Sequence, residues 1–151
     1  MESFVKMKES DIALLDYRVT KFSYDSDIIL EDEEKIKYES YMKLGVSGPF
    51  QKEINEKEKV LLLRLDMELR IRGKIKRKNV VKINIKISGM LGTEKLSEEK
   101  FKELAPGVGV SNLLAIARSV ILSFTSQTGN PPVMMPILNV KESLKIANSE
   151  K

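Results

Sequence analysis

Three residue types are missing from this 151-residue chain: it contains no cysteine, no histidine and no tryptophan. Without cysteine the chain can form neither disulfides nor thiolate zinc sites, and it has no cysteine nucleophile. Without histidine it lacks the side chain that most often serves as a general base or a metal ligand. These absences argue against most hydrolytic and metal-dependent chemistries. We therefore expect a non-enzymatic binding protein that holds no metal and no cofactor.

Charge is almost absent from the last third of the chain. The 26 basic and 22 acidic residues give a net charge of +4, yet between Ala105 and Val140 only Arg118 is charged. Polar residues, Gly129 and three prolines interrupt the wholly uncharged stretch from Ser119 to Val140, which is not typical of a membrane span. The beginning of the sequence lacks the apolar core of a signal peptide. We expect one cytoplasmic domain over residues 1–151, whose uncharged third is buried, self-associated or bound to an apolar ligand.

Two segments alternate strictly between apolar and polar residues, with the period of a β-strand. Over 61–71 the odd positions are apolar, and the even positions from 64 to 70 are charged. The segment 81–87 follows the same rule, and the charged residues 72–79 between the two are typical of a hairpin connection.

Two further segments alternate more loosely. One covers 36–46 and is expected to end at Ser47-Gly48-Pro49; the other covers 14–24 and changes phase between Val19 and Phe22, as a β-bulge would cause. Four strands with one polar face each predict an antiparallel sheet.

After these strands the apolar period becomes helical. Ser97, followed by two glutamates, is expected to cap a short helical turn that ends at 105–107. A long apolar helix is predicted from about Ser111 to about Thr128, and a short C-terminal helix from Asn139, which has capping-box spacing to Glu142. The fold class is therefore α+β, a four-stranded sheet followed by helices.

The predicted helix over 111–128 is apolar nearly all round. One sheet can cover only one side of it, so the rest needs a second subunit or a bound apolar chain. One of its faces carries mostly small residues, which let another backbone approach closely. We therefore expect a homo-oligomer. The residues assigned to its interface are Asn112, Ala115, Arg118, Ser119 and Leu122.

The segment over 112–140 resembles the C-terminal signature of the SecB chaperone family. An apolar helix led by Asn and containing an Ala-Arg pair is followed by a Ser/Thr-rich end, a glycine turn, a proline-rich stretch and an Asn that opens the last helix. The resemblance extends over the upstream strands and so covers nearly the whole chain. The marks of the signature fall on Asn112, Ala117, Arg118, Ser126, Gly129, Pro131, Pro136 and Asn139.

The resemblance implies an ATP-independent holdase, usually a tetramer built as a dimer of dimers, with apolar grooves for unfolded polypeptides. Members of the family act in protein export, in general folding or on toxin–antitoxin pairs. The sequence does not distinguish among these roles. Methionine suits such a groove because its flexible thioether repacks around varied side chains. The candidate polypeptide-binding residues are Tyr38, Met42, Leu44, Phe124, Val133, Met134, Met135 and Ile137.

One departure from the family concerns partner docking. Export members dock their translocation ATPase on an acidic patch of the sheet, and the corresponding positions here are Lys21, Asp25, Lys82 and Asn84. Only Asp25 keeps an acidic side chain, so the resemblance places docking to that ATPase in doubt.

Nucleic-acid binding is the alternative from another functional class. The basic residues over 70–78 could contact phosphates, but few aromatic side chains accompany them, so base stacking is poorly provided for. A solvated hairpin is the simpler interpretation. The loop-like sequence over 106–111 lacks the lysine of a phosphate-binding loop and is expected to shape the entry of the long helix.

Overall fold

A computed structural model describes residues 3–28, 35–136, 139–142 and 144. The four strands form one antiparallel sheet in the order β1-β4-β3-β2, so the β3–β4 hairpin lies in the centre and β1 and β2 form the edges. The predicted antiparallel sheet followed by a long helix is confirmed. The elements are β1 (Ala13–Ser26), β2 (Lys37–Glu53), β3 (Lys59–Ile75), β4 (Lys78–Thr93) and α1 (Glu98–Thr125).

The two strictly alternating segments form the central hairpin as predicted, but its connection is shorter than the expected 72–79, because β3 continues to Ile75 and β4 begins at Lys78. Ile75 pairs with Lys78 at its end, and Lys76 between them has the left-handed backbone of a tight turn (φ 58°). The apolar residues of β3 and β4 are buried on one face, with Leu65 and Ile85 fully inaccessible to solvent. We call this the inner face of the sheet, and the opposite face the outer face.

Both edge strands are irregular. In β1 the pairing register shifts between Val19 and Lys21, which confirms the predicted bulge. The expectation that the second strand ends at 47–49 is wrong, because β2 passes through a bulge between Ser47 and Phe50 and continues to Glu53. A proline is tolerated there because a bulge on an edge strand does not need its missing N–H.

The predicted break between two helices is also wrong, because α1 runs without interruption through Pro106. Its N-cap is Ser97, as expected, whose Oγ accepts a hydrogen bond from the Lys100 amide at 3.3 Å. A proline inside a helix costs about 3 kcal/mol. Burial of one large apolar side chain contributes about 1.5–3 kcal/mol, which is comparable to this cost. Helix α1 buries one residue per turn from one end to the other. These residues are Phe101, Ala105, Gly109, Leu113, Ala117, Ile121 and Thr125.

Close contact between α1 and the sheet explains the glycine in this row. A Cβ atom added to Gly109 would overlap Leu65 Cδ1 and lie 2.6 Å from Leu91 Cδ1. By length and composition alone α1 could cross a bilayer. Its buried side packs on β2, β3 and β4, however, with Leu113 and Ile121 fully covered, which is the arrangement of a core helix.

The segment after α1 folds back onto the helix. Thr125 Oγ1 accepts a hydrogen bond from the Val133 amide at 2.8 Å, and Asn130 Nδ2 donates to Tyr24 Oη on β1 at 3.1 Å. The predicted cap of the C-terminal helix is present, since Asn139 Oδ1 accepts from the Glu142 amide at 3.1 Å.

Candidate polypeptide-binding surfaces

The inner face of the sheet is wider than the helix that covers it. Four strands span about 14 Å between the outermost backbones, and a helix with its side chains is about 10–12 Å across. The central residues are buried, but the register places exposed apolar side chains on the edges of the same face. Tyr17 lies opposite Gly89 and is 47% exposed, Val19 lies opposite Ile87 and is 39% exposed, and Val46 lies opposite Leu65 and is 48% exposed.

We call the inner-facing apolar residues of β2 the β2 margin: Tyr38, Met42, Leu44 and Val46. The first three were predicted to bind polypeptide, and all three are half-buried, packed against the core on one side and open on the other. The Tyr38 ring lies over Gly73, with Cε1 2.7 Å from the position of a Cβ atom there. Burial of the ring raises the pKa of the Tyr38 phenol, and the nearby Tyr24 phenol adds to the shift.

We call the inner-facing apolar residues of β1 the β1 margin: Tyr17, Val19, Phe22 and Tyr24. Phe124 of α1 closes one end of it, with ring centroids 5.0 Å from Phe22 and 5.4 Å from Tyr24 in edge-to-face packing. Phe124 remains 43% exposed, so it borders this margin as an accessible aromatic surface.

The proline- and methionine-rich stretch divides between core and surface. Val133 and Met135 are each only 2% exposed and belong to the core, whereas Met134 between them is 68% exposed. Met134 is thus the accessible candidate of these three. Ile137 lies outside the described residues.

The predicted oligomer interface lies on the side of α1 that points away from the sheet. Asn112, Ala115 and Ser119 are exposed and Leu122 is half-buried. Arg118 is also half-buried, and its Nε donates a hydrogen bond to the Met135 carbonyl oxygen at 3.1 Å. Arg118 therefore fixes the returning segment within its own chain, a role that the sequence did not indicate.

The residues assigned to partner docking lie on the outer face, as the alternation predicted for Lys82 and Asn84. Lys21, Asp25 and Lys82 are exposed, and Asp25 is the register partner of Lys82. Asn84 is half-buried and accepts a hydrogen bond from Arg72 Nη1 at 3.0 Å.

Carboxylates on this face have ordinary hydrogen-bonding partners. Ser88 Oγ donates to Asp66 Oδ1 at 2.6 Å, and this hydrogen bond is the main cause that lowers the pKa of Asp66. The Tyr41 hydroxyl donates to Glu39 at 2.7 Å and lowers the pKa of that carboxyl, with Lys74 adding to the effect. In the part of the chain that the structure describes, no three acidic side chains converge as a metal site would need.

No protein-family model matches this sequence, and no curated protein matches it. Among solved structures, the chain aligns with the SecB-like chaperone of Mycobacterium tuberculosis, solved in complex with a ChAD peptide from the HigA1 antitoxin. The TM-score is 0.59 at 16% identity, and the alignment covers 85% of this chain and 91% of that one. This chain has the SecB-like fold. The SecB-like fold that the resemblance implied is therefore confirmed.

A second structural alignment is weaker. A protein of unknown function from Streptococcus agalactiae matches with a TM-score of 0.45 at 16% identity, covering 83% of this chain and 97% of that one. Of these two proteins, the mycobacterial one has a stated role, that of a chaperone.

Proposed function

We propose that this protein is an ATP-independent holdase of the cytoplasm that binds unfolded polypeptides along the two apolar margins of its inner face. The observation that carries the proposal is the exposure of Tyr17, Val19 and Val46 beside the buried core, on the face that a single helix leaves partly uncovered. Exposed apolar surface that continues a core is typical of interaction sites.

The dimensions of the β2 margin suit an extended client. Tyr38 and Val46 are eight residues apart on one strand, a span of about 26 Å at about 3.3 Å per residue. An extended segment of about eight client residues matches that length. Alternate client side chains then meet Met42 and Leu44, and the flexible methionine tolerates differences in their shape.

The client class follows in part from the structural relative. Because the mycobacterial SecB-like chaperone carries an antitoxin peptide, we propose an antitoxin as the first client to test, with preproteins as the second. We further propose a homo-oligomer, most simply a tetramer, joined through the exposed side of α1 at Ala115 and Ser119.

The decisive experiment measures aggregation of a chemically unfolded client by light scattering, with and without the protein and with and without ATP. We expect equimolar tetramer to delay aggregation and ATP to make no difference. A Tyr17→Asp, Val46→Asp double variant should lose most of the protection, since it places charges on both margins. Both positions are about half exposed, so the variant should fold.

Tyr41→Asp is the matched control. Tyr41 lies on the same strand as Val46 and is 55% exposed, but it faces the outer side of the sheet. The Tyr41→Asp variant should protect the client from aggregation as well as the unmodified protein does. Failure of the unmodified protein to delay aggregation, or equal losses in the double variant and the control, would contradict the proposal.

A further inference from the structure

The register arranges the outer face in rows that cross all four strands in the order β1-β4-β3-β2. Three successive rows together carry more cations than carboxylates, with the excess greatest in the first row, and we call them the cationic band. They contain six lysines and arginines against three carboxylates. The rows are Lys21–Lys86–Glu68–Lys43, Ser23–Asn84–Arg70–Tyr41 and Asp25–Lys82–Arg72–Glu39.

Half of the positive charge in the cationic band, three of its six cations, is not balanced by the band's own carboxylates. Glu68 pairs with Arg70 at 3.3 Å, and Glu39 is engaged by Lys74 of the adjoining hairpin at 3.0 Å. Within the residues that the structure describes, Lys21, Lys82 and Lys86 form no ion pair.

The fold also holds two of these lysines against each other. Lys21 and Lys86 are direct register partners on neighbouring strands, and like charges in that position repel. A carboxylate placed between them would relieve the repulsion, which makes the band attractive to an anionic partner.

A pocket of about 630 Å³ opens at the other end of the outer face, with an apolar floor and a charged rim of Glu9, Asp11, Lys52, Glu94 and Lys95. Leu15 lies over the sheet at Gly92, where its Cδ1 is 2.6 Å from the position of a Cβ atom. Leu15 and Ile54 are 55% and 56% exposed, so the pocket is open to a ligand. Its apolar lining consists of Ala13, Leu15, Ile54, Val60, Leu62 and Met90.

We propose that the outer face binds an extended polypeptide segment that carries an apolar anchor and, further along, two or three carboxylates. The anchor enters the pocket and the carboxylates meet the cationic band. Leu62 beside the pocket and Glu68 in the first row of the band are six residues apart on β3, about 20 Å. Five to seven extended residues therefore separate the anchor from the acids.

The composition of the band favours a polypeptide over a nucleic acid. Asp25, Glu39 and Glu68 lie among the cations and would repel a continuous phosphate backbone, whereas a peptide can place its few acids between them. Tyr41 is the one aromatic side chain in the three rows, so stacking of successive bases has little support. The pocket also fits an aliphatic side chain, which nucleic acids lack.

The test uses two labelled synthetic peptides, in which an Ile-Leu pair is separated by six Ser and Gly residues from a Glu-Asp-Glu cluster, one in each order. Fluorescence anisotropy measures their affinity for the full chain. We expect the peptide with one of the two orders to bind measurably. Its affinity should fall about tenfold in the Lys82→Glu, Lys86→Glu double variant. Ile54→Asp should weaken the same peptide without weakening a purely acidic one.

The matched control is Lys100→Glu, Lys102→Glu, which makes the same change in net charge on exposed positions of α1. It should leave peptide binding unchanged. Three results would overturn the proposal. These are an equal loss of peptide affinity in both charge variants, binding of a peptide with Lys-Lys-Lys in place of the acids, and no binding of either peptide. Tighter binding of a twelve-nucleotide thymidine strand would overturn it in favour of a nucleic-acid surface.

The proposed holdase activity lies on the other face and can be separated from this site. Lys82→Glu, Lys86→Glu should still delay client aggregation as the unmodified protein does. Loss of peptide binding with retained protection supports two distinct surfaces. Parallel loss of both would show that the outer face serves the holdase activity itself, which contradicts a separate site.

Discussion

Arg118 of α1 and Met135 of the returning segment are joined by a hydrogen bond from Nε to the carbonyl oxygen at 3.1 Å. Arg118 is the one charged residue between Ala105 and Val140, and this bond directs its side chain toward the backbone of the returning segment. It lies next to Val133 and Met135, whose side chains are buried in the core. Arg118 therefore helps to hold two core residues that come from a segment without regular secondary structure.

Replacing Arg118 by Leu should lower the free energy of unfolding by about 1.5–3 kcal/mol, the usual range for a hydrogen bond that involves a charged group. The loss arises because the Met135 carbonyl is left without this donor. Urea denaturation monitored by circular dichroism measures the effect. Arg18→Leu is the control, since Arg18 pairs with Asp16 at an exposed position and exposed pairs contribute less than about 1 kcal/mol. Equal losses in both variants would contradict the assigned role.

Replacement by alanine should have opposite effects on stability at two glycines of α1. In an ordinary helix, Gly→Ala stabilises by about 0.5–1 kcal/mol. Gly107 has no atom within 4 Å of an added Cβ, so Gly107→Ala should raise stability by that amount. Gly109→Ala should lower it, because the added methyl meets Leu65 and Leu91 and overpacking costs about 1–3 kcal/mol.

Thermal unfolding of the two variants measures the difference, with the unmodified protein as reference. A rise in melting temperature for Gly109→Ala would mean that α1 lies further from the sheet than the structure places it.

The central strands and their buried faces could be predicted because β3 and β4 each alternate between apolar and polar residues, whereas the connection was expected over 72–79 and is confined to 76–77. The continuity of α1 could not be predicted in this way. Pro106 and its neighbouring glycines are local signals for a break, whereas Gly109 is buried against Leu65 and Leu91, which are distant in sequence.

The candidate site was predictable only in part. Met42 and Leu44 follow the alternation of their strand, so their place on the inner face could be predicted. Tyr17 and Val19 were missed because two bulges change the phase of β1, and because strand order, which local sequence does not specify, places β1 at an exposed edge. The side chains of Val133 and Met134 could not be told apart, since a segment without regular structure has no period.

Oligomerisation through α1 gives a further prediction. Ala115→Arg or Ser119→Arg should dissociate the oligomer, because an unpaired charge buried in an interface costs several kcal/mol. Sedimentation velocity at micromolar concentration should show little 17.2 kDa monomer for the unmodified protein and mainly monomer for either variant. Thr20→Arg, exposed on β1, should not change the assembly. A monomeric unmodified protein would contradict this prediction.

The last prediction concerns docking to an export ATPase, which the SecB resemblance expects on the outer face. Lys21, Lys82 and Asn84 stand where that resemblance expects acidic or apolar contacts, and the structure places all three on that face. A basic partner is repelled there, with an energy that falls as salt increases. A Lys21→Asp, Lys82→Leu, Asn84→Glu variant should therefore bind the purified ATPase more tightly than the unmodified protein, by about tenfold at low salt and less at high salt.

The matched control is Lys100→Asp, Lys102→Asp, which lowers the net charge by the same four units on α1 instead of the sheet. If this control gained as much affinity as the triple variant, total charge rather than the outer face would govern binding. The triple variant should remain folded, because Glu at position 84 can still accept the hydrogen bond that Arg72 donates to Asn84. If the unmodified protein already binds as tightly as the triple variant, the charge argument is wrong and an export role gains support.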